Sequence, residues 1–121
     1  MNEAQLPKTF TVQGRAIPTV RMTQKSKWGA REQKYLAYKE EVGWSAKRAK
    51  VKPFEGKVAI TIDVYIKGGN VGDWDNYGKS ICDGLSLIAY KDDRQVKDGR
   101  VRIHSVDTQQ EERVDVVLEA I

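Results

Sequence analysis

The sequence predicts an α+β domain in which a mixed β-sheet packs against two helices, in the order β-α-β-α-β-β. Residues 57–67 alternate apolar and polar side chains with period two over eleven residues, which is typical of a strand with one buried face. Residues 30–50 and 75–89 instead carry apolar side chains at helical spacing. Shorter alternating segments before and after them supply the other strands.

The first part of the chain predicts a strand, a loop and a helix. Lys8 to Gln13 alternates polar and apolar residues, is rich in β-forming side chains and stops at Gly14. Residues 15–29 mix proline, glycine and basic residues without a clear period, which indicates a loop. Ala30 to Lys50 is expected to be a helix that buries one stripe. That stripe consists of Tyr35, Tyr38, Val42, Ser45 and Ala49.

The clearest strand is Lys57 to Lys67, and a glycine-rich connection at residues 68–72 follows it. One face of this strand is expected to be buried, and it comprises Val58, Ile60, Ile62, Val64 and Ile66. A second helix is predicted to start with Asp75 or Asn76 as its cap and to run to about Ala89. Its buried stripe is expected to be Tyr77, Ile81, Leu85 and Ile88.

The last part of the chain predicts two strands. Asp92-Asp93 opens a turn, and Gln95 to Ser105 forms the third strand. Asp107 to Glu112 is expected to be a hairpin loop, and Arg113 to Glu119 is a final alternating strand. A chain of 121 residues is one domain by length, here residues 1–121, and a dimer partner would help a core of this size.

Composition favours a soluble cytoplasmic protein. No apolar run is long enough to span a bilayer, and the first residues lack the charged and apolar blocks of a signal peptide. A single cysteine, Cys82, excludes an internal disulfide and fits a reducing compartment. Because Cys82 and His104 are the only residues of their types, a structural zinc site is not expected. The glycines near Gly68 do not form a phosphate loop, and no organic cofactor is expected.

Positive charge is concentrated in the first half of the chain. Residues 15–52 contain eleven Lys or Arg and three Glu, whereas residues 92–121 contain eight acidic and five basic residues. Such a surface indicates phosphate binding. The candidate DNA-binding residues are Arg15, Arg21, Lys25, Lys27, Lys47 and Arg48. The alternative is a solvated helix face with cations at a helix C-terminus.

Acidic residues between positions 73 and 93 are all aspartates. The five of them are Asp73, Asp75, Asp83, Asp92 and Asp93. Asp73 and Asp75 lie at i and i+2 between a strand and a helix, so they project from one side if the segment is extended. Their oxygens could share one hard cation. The alternative is helix capping, which explains one aspartate and leaves the other unexplained.

Asp75, Lys79 and Asp83 are spaced i, i+4 and i+8, and would stack on one helix face. Exposed helix ion pairs are one interpretation of this spacing. The other is a lysine near a metal that offsets charge on a phosphate in the transition state. Asp92 and Asp93 follow the helix, so they reach the first pair only if the next strand brings them back to it.

These residues resemble the RusA family of Holliday-junction resolvases. The likeness covers Asp73-x-Asp75-Asn-x-x-Lys79-x-x-x-Asp83-Gly-Leu and the later Tyr-Lys-Asp92-Asp93-x-Gln-Val, about a fifth of the chain. Family members carry D-x-D-N-x-x-K, then D-A-L, then W/Y-x-D-D-x-Q-V. An early Val-x-Gly-Arg-x-x-Pro also looks like the opening strand and basic loop of the family. The chain departs from the family pattern at Gly72 and at Ser86-Leu87.

The resemblance implies a homodimeric Mg²⁺-dependent endonuclease that cuts four-way DNA junctions by paired nicks. Asp73, Asp75 and Asp93 match the catalytic and metal-binding acidic positions of the family, and Lys79 matches its functional lysine. Asp92 is a further candidate ligand, and Mn²⁺ is a possible substitute for Mg²⁺. Two alternatives are a non-catalytic junction-binding module and a metal nuclease directed at flaps or RNA. Metal-dependent cleavage and a comparison of substrates separate them from the first hypothesis.

Overall fold

The computed structural model describes residues 6–68 and 71–121, and the middle of the glycine-rich connection lies outside them. Six regular elements follow one another in the predicted order. They are β1 (Lys8–Gln13), α1 (Ala30–Arg48), β2 (Val58–Lys67), α2 (Trp74–Leu85), β3 (Val96–Val106) and β4 (Arg113–Ala120). Single 3-10 turns, Asp93–Gln95 and Gln109–Glu111, precede β3 and β4.

One mixed sheet holds the four strands in the order β1-β4-β2-β3. β4 pairs antiparallel with both β1 and β2, and β3 pairs parallel with β2. It follows that β1, β2 and β3 all run in the same direction. We call the edge at which these three strands end the carboxyl edge, and the edge at which they begin the amino edge. Each helix then runs back from the carboxyl edge to the amino edge.

The core lies between the sheet and both helices. Every residue of the predicted inner face of β2 is at most 2 % exposed, which confirms that face, and Val114, Val116 and Leu118 of β4 extend it. Of the stripes predicted for the helices, Tyr38, Val42, Tyr77, Ile81 and Leu85 belong to this core, together with Ala46, whereas Tyr35 does not. Burial of this apolar surface is the main stabilising contribution to the fold.

Glycines allow α1 and α2 to approach each other closely. A Cβ atom on Gly84 would lie 2.8 Å from Val42 Cβ, and one on Gly43 would lie 2.7 Å from Ile88 Cδ1. Gly43 weakens the helical pattern of α1 in the sequence. In the structure it stays within the helix, because the contact with the segment after α2 leaves no room for a side chain.

Both helices end earlier than predicted. α1 ends at Arg48 rather than Lys50, whose φ of 60° leaves the helical region. α2 begins at Trp74 with Asp73 as its N-cap, not with Asp75 or Asn76. It ends at Leu85 rather than near Ala89, because Ser86 is extended and Leu87 has a φ of 71°. A non-glycine residue with positive φ cannot continue a helix.

Candidate active site

Asp73 and Asp75 lie at the carboxyl edge, at the start of α2. Both are exposed, and neither carboxylate has a hydrogen bond or ion pair with another residue of the described chain. Asp73 has the extended backbone of an N-cap, yet its side chain accepts no capping hydrogen bond. Capping therefore does not account for these side chains, and their oxygens are available to a ligand.

Buried groups hold the segment that carries these two aspartates. Tyr77 is 3 % exposed, and its hydroxyl accepts a hydrogen bond from the backbone N–H of Gly72 at 3.1 Å. The N–H of Thr19 donates to the carbonyl of Asn76 at 3.0 Å, so the first turn of α2 is tied to the loop before α1. These contacts fix the direction in which the start of α2 presents its side chains.

Lys79 and Asp83 continue along α2 from this pair. The described residues include no ion pair of Lys79 with Asp75 or Asp83, so the interpretation as helix ion pairs is wrong. Asp83 Oδ2 instead accepts a hydrogen bond from the Tyr35 hydroxyl of α1 at 3.1 Å. Lys79 is exposed, and its ammonium group remains available to a phosphate.

A cleft of about 630 Å³ opens between α1, α2 and the loop that precedes α1. Three cations and one carboxylate line it, namely Arg21, Lys39, Lys79 and Asp83. The other lining residues are Thr19, Val20, Met22, Tyr35 and Asn76. Nothing in the sequence predicts that Lys39 and Tyr35 belong to this site, since the sequence indicates only that they lie in an amphipathic helix.

Asp92 organises the turn between α2 and β3. Its carboxylate accepts hydrogen bonds from the backbone and the guanidinium of Arg94, at 2.8 Å from N, 3.1 Å from Nε and 2.9 Å from Nη2. These bonds lower the Asp92 pKa to about 2. Gln95 completes a capping box, because its Oε1 accepts from the Asp92 N–H at 3.2 Å. Asp92 thus already has a cationic partner, whereas Asp93 next to it is exposed.

Asp93 lies at the opposite end of α2 from the first pair. β3 runs parallel to β2, so the turn at Asp93 belongs to the amino edge. A helix of 12 residues such as α2 is about 18 Å long. Asp93 instead lies in the neighbourhood of Asp83, since both carboxylates contribute to the raised pKa of Tyr90, which is mainly an effect of burial. Within the described ranges, no three His, Cys, Asp or Glu side chains group closely enough to hold a metal.

The candidate DNA-binding residues separate into two groups. Arg21, Lys25 and Lys27 lie in the loop before α1, at the carboxyl edge, while Lys47 and Arg48 end α1 at the amino edge. The 19 residues of α1 separate the groups by about 28 Å. Arg15 pairs with the buried Glu112 at 2.6 Å, and Arg48 pairs with Glu41 at 2.6 Å.

The three tryptophan side chains are exposed to solvent rather than buried in the core. Trp28, Trp44 and Trp74 are 76 %, 56 % and 61 % exposed. Ammonium groups of the neighbouring lysines, Lys27 and Lys47, lie 5.4 Å and 5.0 Å from the ring centroids of Trp28 and Trp44. These three side chains are therefore not part of the core of the single chain.

His104 has a structural partner. Its Nε2 lies 2.8 Å from Asp63 Oδ1, and its ring stacks on Tyr65 with centroids 4.6 Å apart. Partial burial alone would raise the Asp63 pKa, but hydrogen bonds from Arg102 and His104 outweigh it and lower that pKa. His104 lies near the carboxyl edge, next to Tyr65 of β2 in the sheet, and its side chain is paired with Asp63.

No helix within residues 6–68 and 71–121 is long and apolar enough to cross a membrane. The sequence model of the family described as Endodeoxyribonuclease RusA matches residues 13–119, nearly the whole chain. The curated proteins include no match to the chain. The matched range contains Asp73, Asp75, Lys79 and Asp93 together with both α-helices, β2, β3 and nearly all of β4, while most of β1 precedes it. The chain therefore belongs to the RusA endodeoxyribonuclease family.

Proposed function

We propose that this protein is a Mg²⁺-dependent Holliday-junction resolvase, acting in the cytoplasm in DNA recombination and repair. The observation that carries the proposal is the pair of carboxylates, Asp73 and Asp75, which have no partner among the described residues and lie beside a cationic cleft in a member of an endodeoxyribonuclease family. Carboxylates suit a hard divalent cation, and the cations of the cleft suit DNA phosphates.

The residues at the start of α2 fit a magnesium ion. Mg²⁺ is commonly held by one or two carboxylates together with waters and substrate phosphates. Asp73 and Asp75 supply two such groups, and Mn²⁺ is expected to substitute because it prefers the same oxygen ligands. The bound metal supplies Lewis-acid stabilisation of the scissile phosphate and lowers the pKa of water. Lys79, one helical turn after Asp75, offsets the negative charge that develops on the phosphate.

Asp93 completes this site from a second copy of the chain. One copy keeps Asp93 about one length of α2, or 18 Å, from Asp73. β3 is an edge strand, and Gly78 of α2 packs against its Val101. A two-fold axis that sets the α2 and β3 edges of two copies side by side and antiparallel brings the carboxyl edge of one against the amino edge of the other. Asp93 of one copy then meets Asp73 and Asp75 of the other.

Exposed apolar residues at both ends of α2 support this arrangement. Trp74 is 61 % exposed next to the metal pair, and Leu87 is 77 % exposed near the amino edge. The same antiparallel pairing brings Trp74 of one copy towards Leu87 of the other, and the reverse, as a self-complementary interface requires. A homodimer of this kind presents two equivalent sites to a four-way junction with near-twofold symmetry.

Cations on both edges would carry the junction arms. In the proposed homodimer, Arg21, Lys25 and Lys27 of one copy lie on the same side as Lys47 and Arg48 of the other. Arg15 and Arg48 are held in ion pairs, so they would meet phosphates as positioned groups. Affinity for a junction is expected to fall steeply with salt.

A comparison of substrates tests the proposed function. With Mg²⁺, we expect rapid nicking of a labelled four-way DNA junction and little cleavage of linear duplex, flap DNA or RNA of the same sequence. If the flap or the RNA is cleaved faster than the junction, that nucleic acid and not the junction is the substrate. Tight junction binding without cleavage in Mg²⁺ or Mn²⁺ would leave a binding module.

A further inference from the structure

The cleft beyond the metal pair draws its cations from three separate elements. Arg21 comes from the loop before α1, Lys39 from α1 and Lys79 from α2. Only Lys79 belongs to the motif that follows Asp73 and Asp75. Lys39 is half-buried, whereas Lys34 on the same helix is exposed and does not line the cleft. The fold therefore selects one lysine of α1 for this cleft.

A hydrogen bond joins the two helices that line the cleft. Tyr35 donates to Asp83 Oδ2 at 3.1 Å, which joins α1 to α2 across the cleft floor. Burial raises the pKa of Tyr35, so its phenol stays protonated and keeps donating. The ammonium group of Lys39 lies 5.1 Å from the centroid of the Tyr35 ring, a distance at which a cation is attracted to an aromatic face.

The charges of the cleft fit a phosphodiester. Three cations face one carboxylate, and that carboxylate already accepts a hydrogen bond from Tyr35. A volume of about 630 Å³ admits a length of DNA backbone, and the cleft starts at Asn76, directly after Asp75. A strand whose scissile phosphate lies at Asp73 and Asp75 can therefore continue along α2 into the cleft.

We propose that this cleft is a second phosphate subsite, in which Lys39 and Arg21 hold a backbone phosphate next to the scissile one while Lys79 faces the reaction. The inference rests on the proposed function, because it takes the substrate to be DNA. Lys39 acts by binding and aligning the strand, so it is a positioning residue for the phosphate that reacts at the metal.

Lys39→Gln tests the subsite against Lys34→Gln, which removes the same charge from the exposed side of α1. In EDTA, Lys39→Gln is expected to lower junction affinity about tenfold. It should also reduce the slope of log K against log salt by about one. Lys39→Arg should restore most of the affinity, because it keeps the cation. Equal losses in Lys39→Gln and Lys34→Gln would indicate only the general field of the basic surface and would overturn the subsite.

Replacing single backbone phosphates with uncharged analogues identifies the phosphate that Lys39 contacts. Affinities of the wild type and of Lys39→Gln are measured in EDTA for a series of junctions, each with a single methylphosphonate at one position around the branch point. We expect one position, adjacent to the scissile phosphate, where neutralisation weakens the wild type but no longer weakens Lys39→Gln. The proposal is wrong if the two proteins respond alike at every position. Because this readout needs no metal, it remains informative even if the protein binds junctions without cutting them.

Discussion

Asp75→Asn is expected to lower Mg²⁺-dependent junction cleavage by about a hundredfold or more, because one of the proposed metal ligands loses its charge. The substitution keeps the size of the side chain, and Asp75 is exposed with no hydrogen bond or ion pair to another described residue, so the fold should remain. Junction affinity measured in EDTA should be unchanged or slightly higher, since a negative charge leaves the DNA surface.

The matched control for Asp75→Asn is Glu119→Gln, which removes an exposed carboxylate at the end of β4. Single-turnover rates and binding in EDTA separate chemistry from affinity for both variants. If Asp75→Asn cleaves the junction at a rate close to that of Glu119→Gln, the start of α2 is not part of the metal site. A parallel loss of binding and rate would instead assign Asp75 to DNA contact.

Mixing two inactive variants is expected to restore cleavage. Asp75→Asn removes a carboxylate from the carboxyl edge of a copy, and Asp93→Asn removes one from its amino edge. If each site combines the two edges of different copies, a mixed dimer has one site with both substitutions and one with neither. Random re-association then returns about a quarter of the wild-type sites, since half of the dimers are mixed and each has one intact site.

The rescue needs proof that subunits exchange. Tags of different mass on the two variants, read by native mass spectrometry, report the mixed dimer, and Asp75→Asn mixed with its own tagged form is the homotypic control. Rescued activity should consist of single nicks, because each mixed dimer keeps one working site. Mixed dimers that form but stay inactive would show that each copy builds its site alone, and a monomeric protein would exclude the shared site altogether.

Local patterns in the sequence were sufficient for the order of the elements and for the buried face of β2. The hairpin loop predicted from Asp107 to Glu112 was wrong, because β4 pairs with β1 and β2 and not with β3. Period two over β2 follows from burial of one face, and Val58 to Ile66 are buried as that alternation requires. The end of α2 was not predicted, because Ile88 keeps the apolar spacing after the helix has stopped. The backbone leaves the helix at Ser86 and Leu87, a change of dihedral angles that apolar spacing does not record.

The candidate site shows a similar division. Asp73 and Asp75 both lie at the start of α2, as their position between a strand and a helix predicts, but Asp75 is already helical, so the expectation of an extended segment was wrong. The position of Asp93 relative to this pair depends on the direction of β3. Because β3 is parallel to β2, Asp93 lies at the amino edge. Lys39 reaches the cleft only because α1 packs on α2, a contact between residues far apart in the sequence. The spacing of these residues along the chain does not predict that contact.

Paired cutting of a cruciform tests the central claim most directly. A supercoiled plasmid that extrudes a cruciform carries a four-way junction, and two nicks made within one binding event convert it to linear DNA, whereas one nick relaxes it to an open circle. With the wild-type protein and Mg²⁺, we expect mainly linear plasmid, cut at the cruciform, and no product in EDTA. Open circles alone, or cleavage that does not depend on a divalent metal, would contradict a dimeric metal-dependent resolvase.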